Sequence, residues 1–436
     1  MLVAPARVPA TRRLAATLYG YAFLTDLVLL YPLYVLLFAD TGLSVGQISS
    51  LFVLWSAAGI LLEIPSGAWA DALSRRLLLC LAPLLTAVGF ALWVLLPSYP
   101  AFAVGFLLWG AGGALRSGAL EALVFTELDR LDAADRYARL IGRARTAEVL
   151  GAVGSGVLAG PVFALGGYLA VGAASVLTCL LAAAVAARLP ERRTPVTAPA
   201  ADRPVPATAG PVETVAGVAP GETAPGVDPA EDAADDEPGW RESLRGGLAE
   251  VRADRAVRAA VLLVAAVAAI WGGLDEYTGL LARDTGVTEA AVPLLLLLLW
   301  GGMSVGGLLA PLGERLSHRG YAGLLVVAAV ATAAGALLRH PAGFLLLAVA
   351  FAAFQLATVL ADARLQARIT GDARATVTSL AGMATDLTTV ACYAGYGLLA
   401  GVFGNPVAFA VAVLPYLVVA FRLLTGRGVT RRKKEQ

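Results

Sequence analysis

The feature that most limits what this chain can become is a rhythm of long apolar runs. Twelve recur along its 436 residues, each near the roughly 20 residues a helix needs to cross a bilayer. Six cover residues 14–38, 47–70, 77–96, 101–124, 142–165 and 168–187; six more cover 257–281, 291–313, 321–338, 342–363, 376–400 and 404–421. Within lipid each backbone polar group must be satisfied inside its own segment, so the runs predict helices and not open strands. Hydrophobic residues make up 58% of the chain, against roughly 45–50% in soluble domains. The mean hydropathy of +0.75 points the same way, to lipid as the solvent.

Other classes lose ground on the same sequence. With 33 basic and 32 acidic residues there is no surplus of positive charge to attract nucleic acid, and no nucleic-acid partner is expected. Cys80, Cys179 and Cys392 lie far apart in apolar runs, and His318 and His340 fall in loops. No metal-ligand spacing results, no nucleophile motif is present, and neither enzyme activity nor a cofactor is expected. The first run is too long for the core of a signal peptide and lacks a small-residue cleavage site.

Loop charges orient the spans. Arg7, Arg12 and Arg13 precede the first; Arg75 and Arg76 follow the second; Arg130, Arg136, Arg139 and Arg143 follow the fourth. Arg315 and Arg319 follow the eighth, Arg368 and Arg374 the tenth, and the tail carries Arg427, Arg431, Arg432, Lys433 and Lys434. With twelve crossings these clusters share one side, leaving Arg283 and Arg339 on the other, so both termini are expected in the cytoplasm of a cell-membrane protein. Residues 1–187 then form one unit, 188–256 a linker, 257–424 a second unit and 425–436 a basic tail. The linker stretch 194–238 has nine acidic residues against one Arg and too little apolar surface to offset chain entropy, so disorder is expected. Trp240, Leu244, Leu248 and Val251 recur at helical spacing among arginines and predict a short amphipathic helix on the inner leaflet.

The two units echo each other. The stretch LLFADTGLS at 36–44 matches LLARDTGVT at 280–288, aligning Asp40-Thr41-Gly42 with Asp284-Thr285-Gly286; ADALSRR at 70–76 matches GERLSHR at 313–319. Two matches at nearly one offset indicate a duplication, and duplicated membrane units place a substrate site at their interface near the midplane.

The segment GAWADALSRR at 67–76 resembles the signature of the major facilitator superfamily between its second and third helices. Gly67, Asp71, Arg75 and Arg76 fit; Ala72 and Ser74 stand where the family has a basic residue and Gly. The resemblance implies an all-α membrane protein of twelve transmembrane helices in two pseudo-symmetric six-helix bundles. It implies a cytoplasmic latch built on Gly67, Asp71, Arg75 and Arg76, with Glu127 the nearest acidic partner. The segment GVLAGPVFALGG at 156–167 is similar to the family's antiporter motif in helix 5, with four residues after Pro161 where the motif has two. Gly156 and Gly160 are spaced for close helix approach, as are Gly302 and Gly306. In the resembled fold helix 5 faces helix 8, so these residues and Pro161 are expected at a seam between the bundles, with plain packing as the alternative.

Charges within spans are costly and usually mark function. Spans 3, 6, 9 and 12, which face lipid in the resembled fold, have none; spans 1, 4, 7 and 10, which line its cavity, carry Asp26, Arg116, Glu121, Asp275, Glu276 and Asp362. Glu63, Glu148 and Asp386 lie in spans 2, 5 and 11. Helical periodicity groups Tyr19, Phe23, Asp26 and Tyr34; Trp109, Gly113 and Arg116; Trp271, Asp275 and Thr278; Gln355, Thr358 and Asp362. These faces predict a substrate and proton site of Asp26, Arg116, Asp275, Glu276, Tyr19, Tyr34, Trp271, Gln355, Asp362 and Asp386. Asp26 is either a proton carrier or half of a structural ion pair with Arg116, and Arg116 alternatively holds an anionic cargo. Asp275 and Glu276 serve as a gate, a cation ligand or a plain cavity wall. The first reading is a monomeric, proton-coupled exporter of small amphipathic or cationic molecules. Proton-coupled uptake of a polar or anionic metabolite is the second, and a non-transporting receptor the third.

Overall fold

A computed structural model describes residues 7–191, 254–369 and 374–425, without the side chains of 7–9, 63–72 and 375. The body of the linker with its expected amphipathic helix, and the basic tail, lie outside the described residues. The first unit contains α1 (Arg7–Asp26), α2 (Tyr34–Asp40), α3 (Val45–Ala72), α4 (Arg75–Leu95), α5 (Tyr99–Arg116), α6 (Ala119–Arg130) and α7 (Tyr137–Ala186). The second contains α8 (Arg255–Asp275), α9 (Thr278–Arg283), α10 (Val292–Leu308), α11 (Ala310–Gly313), α12 (His318–Leu337), α13 (Gly343–Gln366), α14 (Arg374–Phe403), α15 (Asn405–Ala412) and α16 (Leu414–Thr425). No strand occurs among the described residues.

Nine stretches of the described residues are long and apolar enough to cross a membrane. One of them, Ala134–Ala186, holds two expected spans, because Gly166 and Gly167 leave helical geometry, with Gly167 at φ +59°. The glycines of the antiporter-like segment therefore form the turn between spans 5 and 6. The remaining expected spans, the first and fourth, are broken helices: α1 gives way to α2 over residues 27–33, and α5 to α6 at Ser117–Gly118. All of this is consistent with twelve crossings.

The break in the first span has a local cause and a local remedy. Pro32 lacks an N–H and pushes Tyr31 away from helical geometry. Ser155 donates to the Val28 carbonyl at 2.5 Å and the Leu30 amide donates to Ser175 at 3.0 Å, so α7 supplies partners the helix has lost. The second unit breaks at the corresponding place without a proline, α8 ending at Asp275 and α9 starting at Thr278.

The sequence duplication is visible in the backbone. Gly42 and Gly286 take φ of +89° and +82°, which only glycine adopts without strain, and each amide donates to the carbonyl three residues back. Ser74 and Ser317 each cap the following helix, accepting from the amides of Leu77 and Gly320.

The cores describe the molecule's shape. One large cluster joins both units at the end bearing Asp40, running from Leu30, Phe38 and Trp93 to Leu280, Phe351 and Tyr396. At the opposite end each unit keeps its own core, with Leu18, Leu123 and Leu140 in the first and Val261, Leu365 and Val377 in the second. The bundle is thus sealed at the Asp40 end and split at the Arg75 end. Large apolar side chains cover the outside, such as Leu165 at 88% and Leu398 at 76% exposure, as expected for a surface solvated by lipid.

Candidate functional site

α1 and α8, the first long helices of their units, both end in aspartate, at Asp26 and Asp275. The chain then breaks, and both carboxylates reach one cavity of about 280 Å³ between the units. Gly151 of α7 permits this close approach, since a Cβ there would run into the backbone of α1 at Phe23 and Asp26. Tyr31, Tyr34, Trp55, Trp109, Glu276, Thr278 and Trp300 also line the cavity. A second cavity of about 440 Å³ shares Tyr31, Trp55 and Trp109 and adds Arg116 and Asp386.

The shared wall is a stack of rings. Trp109 lies 4.8 Å from Trp55 at 22° and 5.4 Å from Tyr31 at 16°, centroid to centroid. Such offset parallel rings favour flat partners and, through their negative faces, cations.

Asp26 and Arg116 make no hydrogen bond and no ion pair with each other or with any other described residue. The structural ion pair weighed from the sequence is therefore not formed here. Asp275 keeps one oxygen, Oδ1, buried without a hydrogen-bond partner. Glu276 is engaged, accepting a short hydrogen bond from the Tyr34 hydroxyl across the units.

Other expected residues lie elsewhere. Trp271 is buried in the second unit, its ring N–H donating to Thr358 at 3.1 Å and its amide to Tyr416 at 3.0 Å. Helical spacing alone put it on the cavity face; the break after Asp275 turns the wall so that Glu276 and Thr278 take that place. Tyr19 packs in the first unit's own core with its hydroxyl buried and unpartnered. Gln355 is half-buried on α13, and Asp362 is exposed near the end of that helix; neither lines these cavities.

At the Arg75 end, Arg75 donates to Thr126 at 2.9 Å and to the Ala122 carbonyl at 3.1 Å, fixing the loop to α6. Glu127, one residue on, is buried and binds Arg130 at 2.8 Å. The amides of Arg75 and Arg76 and the Ser74 hydroxyl all donate to Glu191, a partner the sequence did not suggest. The side chain of Asp71 lies outside the described residues, as does any contact at Gly67.

At the sealed end, Arg283 pairs with Asp40 at 2.7 Å across the units and Tyr168 donates to the same carboxylate at 2.5 Å. Ser49 and Tyr277 share a hydrogen bond of 2.7 Å, also across the units. On the seam, a Cβ at Gly156 would strike Leu297 and one at Gly160 the Ala290 carbonyl, so α7 meets α10 and its leading loop there. Pro161 follows in the same helix. Gly302 and Gly306 do not share that seam. They abut the Ala348 and Ala352 carbonyls of α13 inside the second unit.

The family model for the Major Facilitator Superfamily matches residues 16–361. Among solved structures, a bacterial homolog of the human lysosomal transporter Spinster, inward-facing and unoccupied, superposes with a TM-score of 0.64 at 17% identity, covering 98% of both chains. The nucleoside transporter NupG gives 0.68 at 12% identity over 95% of this chain and 98% of its own. A D-xylose-proton symporter gives 0.62 at 15% identity over 96% and 98%. Among curated proteins no sequence matches.

Proposed function

The chain belongs to the Major Facilitator Superfamily, a family of multi-pass membrane transporters, and on that premise we propose that it exports small amphipathic or cationic molecules in exchange for protons. The observation that carries this reading is the pair of unpaired aspartates, Asp26 and Asp275, ending corresponding helices and facing one aromatic cavity. A carboxylate accepts a proton or a cationic group, so one chamber serves both passengers. Asp26 is the proton carrier in this scheme. Likeness to a proton symporter lends support to proton coupling; transporters of this superfamily typically need no cofactor.

The two bundles, 1–187 and 257–424, rock about the seam of Gly156, Gly160 and Leu297. The split end carries the arginine-rich loops, so it is taken as cytoplasmic, with both termini, the linker and the basic tail on that side. The Asp40 end is then the outer end, and the described state faces inward. The Gly67–Arg76 loop with Glu127 secures the opposite state. One chain encloses its own chamber, which supports a working monomer.

The test uses purified protein in sealed vesicles, with a pH gradient driving movement of a lipophilic organic cation. The native protein moves cation against the proton gradient, and Asp26→Asn loses pH-driven movement while unfolding at the native temperature. Undiminished pH-driven flux in that variant removes Asp26 from the mechanism. Arg116, without a hydrogen-bond partner on the larger cavity, favours one other reading: proton-coupled uptake of a polar or anionic metabolite. Accumulation along the proton gradient, in place of exchange against it, distinguishes that reading.

A further inference from the structure

Resting on the transport reading above, we infer that the cargo is a flat aromatic monocation, its charge held by Asp275 and its ring by Trp55, Trp109 and Trp300. The smaller cavity carries three carboxylates, Asp26, Asp275 and Glu276, and no Lys, Arg or His among its lining residues. They are not equivalent. Glu276 is occupied by the Tyr34 hydroxyl. Asp26 has the positive charge of Arg116 as its strongest charged neighbour, which offsets it. Among the described residues Asp275 has no such counter-charge: the charged neighbour acting on it is Glu276, and its Oδ1 is buried without a partner. Burying an unpaired charge is costly, and one cationic group from the cargo removes that cost.

The walls set the shape of the remainder. The Trp55–Trp109–Tyr31 stack stands in the first unit, and Trp300 enters the same cavity from α10 of the second. A flat ring presents its face to such a wall, and a ring bearing positive charge gains from the indole quadrupoles as well. At about 280 Å³ the space is at the lower end of ligand pockets, which run from roughly 300 Å³ upward, so a one- or two-ring body fits. Because Asp275 and Trp300 belong to one bundle and Asp26, Trp55 and Trp109 to the other, the bound cation touches both moving parts.

The probe is N-methylquinolinium, a permanent two-ring cation without a donor hydrogen, so its own charge is independent of pH. Binding to the purified full chain is measured by isothermal titration calorimetry. Neutral 1-methylnaphthalene and zwitterionic tryptophan are the comparison ligands. The native protein is expected to prefer the cation over both. Asp275→Asn weakens its binding at least about thirty-fold, the loss typical of removing one partner of a buried charge pair. Asp275→Glu restores most of the affinity, and Asp26→Asn, on the same cavity, weakens it by less than Asp275→Asn does. Trp300→Leu weakens N-methylquinolinium by about ten-fold, the scale of a desolvated cation–π contact, and weakens tetramethylammonium, which has no flat face to stack, by less. Equal binding by Asp275→Asn and the native chain, or loss in Asp26→Asn instead, overturns the anchor. Preference for tryptophan or the naphthalene overturns the cargo class. Either result stands apart from the vesicle assay, since pH-driven flux of another molecule upholds the transport reading while this inference falls.

Discussion

Gly160 and Gly306 both occupy small-residue spacings in apolar helices, yet they abut different partners. Gly160 touches the Ala290 carbonyl of the opposite unit, whereas Gly306 touches the Ala352 carbonyl of its own. A methyl group added to a tight backbone contact costs about 1–3 kcal/mol. In Gly306→Ala that cost falls on every state of the transporter, and the expected result is a lower unfolding temperature in detergent with little change in conformational balance. In Gly160→Ala it falls only on the state in which α7 meets the loop before α10. The expected result there is a shift toward opening of the Asp40 end, read as faster thiol labelling of Val35→Cys in a chain with Cys80, Cys179 and Cys392 replaced by Ala. Val35 is 4% exposed and lies against Gly279 of the other unit, so it reports separation. A fall in stability without faster labelling would assign Gly160 to packing alone. The spacing of these glycines was legible in the sequence; which helix each one meets was not, because periodicity fixes a face and leaves the neighbour open. The same limit misplaced Trp271 and left Tyr31, Trp55 and Trp300 unnoticed, although Trp109 on its helical face was already visible.

At the scale of elements, the short helices α2 and α9 close the Asp40 end against one another. α2 is buried along Tyr34, Val35, Leu36, Leu37 and Phe38, and Gly279 of α9 accommodates Val35. Three polar links cross the same junction: Tyr34 to Glu276, Ser49 to Tyr277 and Asp40 to Arg283. Their weights differ. The ion pair is about one-third exposed on each partner, and such pairs contribute about 0.2–1 kcal/mol. Arg283→Ala is therefore expected to speed Val35→Cys labelling by less than about five-fold. Tyr34→Phe removes the hydroxyl that satisfies a half-buried carboxylate, a loss of about 1–3 kcal/mol, and should speed labelling more. The reverse order would show that the surface charges, and not the rim of the cavity, hold the end shut. Of this junction the sequence revealed only part. The Tyr31-Pro32 pair signals the first break once it is sought, but α8 ends without a proline, and a run of apolar residues reads through both breaks as one span. The repeated Asp-Thr-Gly turn was visible, and its two aspartates proved to have different partners: Arg283 for Asp40 and Asn405 for Asp284.

For the whole molecule, the number and length of apolar runs were enough to indicate a helical membrane protein, because lipid leaves the backbone few alternatives; the two bundles came from the internal repeat and the family resemblance. The state of the bundle was not encoded so openly. It follows from where the cores merge: both units share one core at the Asp40 end and keep separate ones at the Arg75 end. If transport requires the shared core to part, then fixing that end must stop it. Asp40→Cys with Arg283→Cys, in the chain otherwise lacking cysteine, places two thiols at facing positions whose longer side chains now meet at 2.7 Å. A short bifunctional thiol reagent is expected to arrest flux in vesicles, and a reducible version should release it on addition of dithiothreitol. Binding of N-methylquinolinium from the split end should survive the cross-link, since the two units already keep separate cores on that side. Transport that continues at the native rate through a quantitative cross-link would mean the Asp40 end does not open, and alternating access between these two bundles would have to be given up.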